Sequence, residues 1–205
     1  MKKNYEMDMC SGPILGKLLT FTIPPIFSGI LQLLFNAADV IVVGRFAGSQ
    51  SLAAVGSTTA LINLMINIFI GLSVGVNVIV ARYYGAKREK DVQDTIHTAM
   101  ALSIVSGLFL IIVGKLLSLP MLELMGTPDD VIDKSTIYMR IIFIGMPANM
   151  IYNFGSAILR AVGDTKRPLY FLTAAGVINV VLNLFFVIMF RMDVAGVALA
   201  TAISQ

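Results

Sequence analysis

Apolar residues come in long unbroken runs along this chain, and the polar residues inside them recur every three or four positions. The first run, Phe21 to Val43, is about 23 residues, enough to cross about 30 Å of hydrocarbon as a helix. Further runs cover about 52–81, 95–117, 137–159 and 169–190 on a window of about 19 residues. The run 137–159 is interrupted by Gly145 and Pro147. A last run, 194–205, is still apolar at Gln205; at about twelve residues it is too short to cross and reads as an incomplete sixth span. Runs this long and continuous are helical, because a membrane barrel shows short alternating segments. The pattern predicts an all-α polytopic bundle over 18–205. Residues 1–17 read as a tail with an interfacial lead-in at Leu15-Gly-Lys-Leu-Leu. Pro24 and Pro25 fall near the start of the first span, where a helix tolerates missing amides.

Asp39 breaks the pattern most sharply. It is a carboxylate inside the first run, where insertion of a charge costs at least ~2.5 kcal/mol. Such a group marks an ion, proton or substrate path unless it sits near the helix end and reaches headgroup water. Gln32, Asn36 and Asp39 are spaced four and then three apart, so they share one helical face. Lipid offers that face no partners, so it belongs inside a bundle or along a cavity.

Other spans carry similar stripes. The second has Gly56, Thr59, Asn63, Asn67 and Gly71. The fourth has Gly145, Asn149, Asn153, Ser156 and Arg160, with Tyr152 adjacent. The fifth has Gly176, Asn179 and Asn183. Small residues and single amides also serve plain helix packing. The number of carboxamides exceeds that need and predicts a shared polar cavity lined by spans one, two, four and five.

Composition narrows the class. Charged residues are only 13% of the chain and hydrophobic residues 57%, against about 25% charged in a soluble domain. The net charge of +3 does not point to nucleic acid, because the basic residues sit in short loops. With the N-terminus inside, ten of the 15 Lys and Arg fall on the inner side, among them Lys2, Lys3, Arg82, Arg88, Arg160 and Arg167. That bias predicts a cytoplasmic-membrane protein with its N-terminus in the cytoplasm. The outer loop Gly126-Thr-Pro-Asp-Asp reads as a turn into a helix, capped by Thr127 or Asp129. His97, the single histidine, falls at the interfacial start of the third span. Cys10 is alone, so no intrachain disulfide forms. Met1 to Gly12 has no apolar core and is no cleavable signal. There is no phosphate-cradling loop, no HExxH, no Cys and His cluster and no GxSxG elbow. This predicts no enzyme, no cofactor and no ATP hydrolysis, so any pumping draws on an ion gradient.

At this point the sequence resembles the multidrug and toxic compound extrusion (MATE) transporters. The resemblance rests on Ile-Pro-Pro followed by Gln32, Asn36, Asp39 and Gly44-Arg45, and on Ala81-Arg-Tyr-Tyr-Gly-Ala-Lys. It rests also on Leu159-Arg-Ala-Val-Gly-Asp-Thr-Lys-Arg-Pro168, on Asn179-Val-Val-Leu-Asn183 and on Val194-Ala-Gly-Val-Ala-Leu-Ala-Thr201. It implies twelve helices in two six-helix lobes, with this chain as most of the N-terminal lobe and a C-terminal lobe as its missing partner. It implies antiport, with Na⁺ or H⁺ entering while a small organic, often cationic, compound leaves through the lipid membrane. The resemblance places cation coupling, including any Na⁺, at Asp39, with Asn179, Asn183 and Thr201 beside it. Many members carry Asp at the position of Asn183, so this chain lacks one carboxylate and its coupling ion stays open between Na⁺ and H⁺. The substrate cavity would use Gln32, Asn36, Asn63, Asn67, Asn149, Tyr152 and Asn153. The first helix would flex at Pro24, Pro25 and Gly29.

Two other readings stay open. A lipid-linked sugar flippase of the same superfamily would need basic residues in its central cavity, and the spans hold few. A membrane scaffold without transport would use Asp39 and the amides as interhelical glue.

Overall fold

The computed structural model describes residues 14–205, so Lys2, Lys3 and Cys10 of the tail lie outside the described residues. These are helical almost throughout: α1 (Ile14–Val42), α2 (Ser49–Gly85), α3 (Glu89–Leu124), α4 (Asp129–Ile144), α5 (Met146–Ala161), α6 (Lys166–Leu184) and α7 (Asp193–Ser204). α1 and α6 each run on into a π-helical turn, Val43–Ala47 and Phe185–Met189. Four helical stretches are long and apolar enough to cross a membrane: Leu15–Ala47, Ser49–Gly85, Glu89–Leu124 and Lys166–Met189. α4 and α5 together make a fifth, bent by 49°. The chain is therefore a multi-pass membrane bundle.

Several boundaries differ from the apolar windows. The lead-in at Leu15 is the first turn of α1 itself and not a separate element. α2 and α3 extend well past their runs because charged residues continue a helix beyond the hydrocarbon. α4 starts at Asp129 rather than 137; Asp129 and Asp130 occupy its first turn, where carboxylates suit the helix dipole. Neither Thr127 nor Asp129 caps it. Pro128 holds that position, with no side-chain cap. Pro24 and Pro25 sit in the interior of α1 rather than at its start. Each therefore removes a real backbone bond, leaving the carbonyls of Thr20 and Phe21 without their usual donors. The Ser28 hydroxyl donates to the Pro24 carbonyl at 3.0 Å.

The α4–α5 break has a local cause. Gly145 closes α4, and Pro147 falls in the first turn of α5. Proline lacks the amide that would continue the α4 ladder and its ring crowds the preceding turn. The resulting elbow is the hub of the bundle. α3 packs along both its arms, α2 does the same on another side, and α7 lies against α4. Its core is Met139, Phe143, Met146, Met150 and Phe154, all buried, with Leu110 and Leu122 of α3. Gly114 lets α3 approach closely, since a methyl there would overlap the Phe143 ring. α1 is attached differently: it packs chiefly on α6.

The outside of the bundle is oily. Leu33, Leu64, Val105, Ile112 and Val181 are all more than half exposed. Water would penalise that surface and lipid does not. Inside, Thr58, Ser118 and Thr136 are buried and return their hydroxyls to a carbonyl four residues back. That satisfies the hydroxyls where no water is available.

Candidate functional site

The helices alternate in direction, so the bundle has a near end, where α1 begins, and a far end. Two polar places lie inside it.

The first is built between α1, α6 and α7. Gly176 of α6 leaves room for the Phe35 ring of α1; any side chain there would overlap it. This seat draws the two helices together one turn before Asp39. The Asn183 side-chain amide then donates to Asp39 Oδ1. Asn183 also approaches Asn179 Oδ1 at 3.1 Å, and Asn179 Nδ2 donates to Thr201 Oγ1 at 3.1 Å. A relay of side chains thus joins α1 to α6 and α6 to α7. Asn183 is completely buried, Asn179 nearly so, and Asp39 half-buried. Tyr138 of α4, also buried, lies within electrostatic reach of Asp39. The Oδ1 of Asn183 is buried and accepts no hydrogen bond. A carboxylate beside an unused amide oxygen suits a hard cation, which takes oxygen ligands. Among the described residues no three His, Cys, Asp or Glu come together.

A clasp closes the far end of the same region. Lys134 Nζ meets Asp193 Oδ2 at 2.7 Å and Ser51 Oγ at 3.1 Å, and Ser51 donates to Asp193. This ties the starts of α2, α4 and α7. Burial works to raise the Asp193 carboxyl, but hydrogen bonds from Lys134 and Ser51 and the Lys134 charge outweigh it and hold it below the usual carboxylate range.

The second place is a cavity of about 440 Å³ in the near half. It is bounded by Phe21, Pro25, Gly29 and Gln32 of α1, Ser73 and Asn77 of α2, and Tyr152, Asn153 and Arg160 of α5. Asn77 Nδ2 donates to the Ala157 carbonyl at 2.6 Å, and the Tyr152 hydroxyl to the Pro168 carbonyl at 3.2 Å.

Residues 24–185 match the MatE family. The chain belongs to that family. It is 35% identical over 188 residues to the probable multidrug resistance protein YoeA of Bacillus subtilis, covering 90% of this chain and 41% of that protein. A MOP superfamily transporter from Pyrococcus furiosus, described as having a binding pocket of reverse polarity, superposes with a TM-score of 0.86 at 28% identity. That match covers 92% of this chain and 41% of the other. A crystal structure of MATE in the bent conformation gives the same TM-score and identity, over 92% of this chain and 42% of the other. The fold is that of the N-terminal half of these transporters, and the chain spans about two fifths of the length of such relatives.

Within this MatE bundle the polar residues singled out from the sequence separate. Asp39, Asn179, Asn183 and Thr201 come together at the far site. Gln32, Tyr152, Asn153 and the flexing positions Pro25 and Gly29 meet at the near cavity, with Pro24 buried beside them. Asn36, Asn63 and Asn67 are exposed and line neither place. Asn149 turns to its own helix, its Oδ1 accepting from Asn153 at 2.8 Å. His97 is exposed near the start of α3. One shared cavity is thus two places, because Asp39 lies two turns beyond Gln32 and faces α6. Sequence reasoning missed Tyr138, the Lys134–Asp193–Ser51 clasp, and Ser73 with Asn77. Only the last pair carried a signal, a polar spacing of four on α2.

Proposed function

We propose that this chain forms the N-terminal half of a cation-coupled antiporter that exports small organic compounds, often cationic, across the cytoplasmic membrane, with its N-terminus inside. Family membership and the multidrug names of relatives support export. The observation that carries coupling is the bond from Asn183 to the Asp39 carboxylate beside an unused, buried amide oxygen. Na⁺ or H⁺ at Asp39 cancels a charge that is costly to withdraw from water. The same cation takes the carboxylate from the Asn183 N–H and, as Na⁺, rests on the unused Asn183 Oδ1 instead, so its arrival replaces one link between α1 and α6 with another. Two backbone bonds are already missing at Pro24 and Pro25, so α1 can bend there at little cost. The cation then favours one bend over the other by its difference in affinity for the two states. Exchange of access around sites between two lobes follows.

The test is Asp39→Asn in the protein at its full natural length. Dye efflux from everted vesicles under a Na⁺ or H⁺ gradient is expected to fall by at least about tenfold, one charge interaction in a low-dielectric site. Gradient-driven efflux at the wild-type rate would remove Asp39 from the mechanism. Movement of lipid-linked sugar without any dye would favour the flippase.

A further inference from the structure

The near cavity holds one formal charge, and it is positive. Arg160 lines it, and its Nε is buried with no hydrogen-bond partner. Among the described residues Arg160 makes no ion pair and no side-chain hydrogen bond, and its charge acts on the neighbouring Tyr152 phenol. The nearest acidic residue in sequence is committed elsewhere. Asp164 is buried, its Oδ1 accepts the backbone amides of Lys166 and Arg167, each at 3.1 Å, and its Oδ2 has an ionic contact with Arg167 Nε at 3.1 Å. No Asp or Glu bounds the cavity. Arg160 is half-buried, with only its Nε shut off from water, and a guanidinium drawn part-way out of water gains from an anionic partner. Its planar fork matches two oxygens of a carboxylate or phosphate. Around it stand neutral groups suited to the rest of an organic ligand: the Asn77, Asn153 and Gln32 amides, and the Phe21 ring.

We propose that Arg160 is a substrate-binding residue that receives the acidic group of an amphiphilic organic compound in the near cavity. This rests on the export reading and narrows its substrates. The preferred compounds carry a carboxylate or phosphate, alone or beside a cationic centre, rather than a cationic centre only. The acid end would lie against Arg160 and the ring system along α1 and α2. Substrate and coupling cation then occupy separate places, Arg160 and Asp39, with opposite charge preferences.

The matched probes are rhodamine 110, which has a free carboxylate, and rhodamine 123, its methyl ester. Binding is read by fluorescence polarisation on the protein at its full natural length in phosphatidylcholine nanodiscs. Wild type is expected to prefer the acid by about tenfold, the scale of one charge-assisted hydrogen-bond pair. Arg160→Gln should erase that preference while still binding the ester, which shows that the variant is folded. Arg160→Lys should keep part of it. Equal binding of both dyes by wild type, or an unchanged preference in Arg160→Gln, would overturn the proposal and leave export standing. Binding of neither dye would overturn the proposal and leave the export reading to the efflux test. Loss of the acid preference in phosphatidylglycerol nanodiscs, where the headgroups carry a net negative charge, would assign Arg160 to anionic lipid and overturn the substrate role.

Discussion

The Phe35 ring of α1 occupies the space that a side chain on Gly176 of α6 would need. Gly176 is one turn from Asn179 and two from Asn183, and Phe35 is one turn from Asp39. The seat therefore sets the distance across which Asn183 reaches the carboxylate. Gly176→Ala is expected to push α1 outward and break that bond. Overpacking of this kind costs about 1–3 kcal/mol. The expected readout is a lower melting temperature with gradient-driven efflux reduced. A companion Phe35→Ala in the same chain should recover part of the stability. A Gly176→Ala protein as stable and active as wild type would show that α1 and α6 have slack at this point.

Asn183→Asp puts a second carboxylate beside Asp39. Without cation the two negative charges repel in a site poor in water, so the variant is expected to melt below wild type in choline buffer. With Na⁺ the repulsion becomes attraction to a shared ion. The stabilisation by Na⁺ should then exceed that of wild type and rise with its logarithm. Identical melting curves in choline and Na⁺ for both proteins would rule out Na⁺ at this pair and leave the proton.

The Lys134–Asp193 clasp has a definite pH signature. The Asp193 carboxyl is held below its ordinary value, so its contribution is fully present above the unfolded value of about 3.9. It is lost as pH falls through the lower folded value. Both side chains are about one third exposed, at 33% and 34%. The contribution is therefore small, roughly 0.5 kcal/mol. Asp193→Asn is expected to lower the melting temperature by about 1–2 °C at pH 7. The two curves should converge as the folded carboxyl protonates in acid. A gap that persists unchanged in acid would assign the loss to Ser51 and packing rather than to charge.

Pro24→Ala restores an amide that can donate to the Thr20 carbonyl. The helix gains one ladder bond and loses a ring clash, a change of up to about 3 kcal/mol in a helix interior. α1 should become stiffer, so a higher melting temperature together with slower efflux is expected. Faster efflux would mean that bending at Pro24 does not limit transport.

Much of this was legible because lipid leaves so few options. Unbroken apolar runs dictate helices, and spacing alone marked polar stripes at Asp39 on the first span and at Asn179 and Asn183 on the fifth; that they share one site came only from the family resemblance. Spacing did not reveal which helix Asp39 faces. Gln32, Asn36 and Asp39 share a stripe on a drawn helix, yet Asp39 meets α6 while Gln32 opens on the cavity, because Phe35 and Gly176 set the contact in between. Asn63 and Asn67 looked like cavity residues and are exposed on α2. The clasp was hidden for another reason: Ser51, Lys134 and Asp193 lie on three helices, and nothing local marks them as partners. Helix ends were poorly marked too, since charged residues at Glu89 or Asp129 end an apolar window without ending a helix.

α1 leans chiefly on one neighbour, α6. The α4–α5 elbow is gripped from several sides and forms a rigid frame, whereas α1 is fastened along one edge, like a leaf on its stem. Substitutions on the free side of that leaf should be tolerated in great variety, and substitutions in the frame should alter substrate choice without altering the swing. A designer could therefore retune what is carried and how it is driven as separate problems.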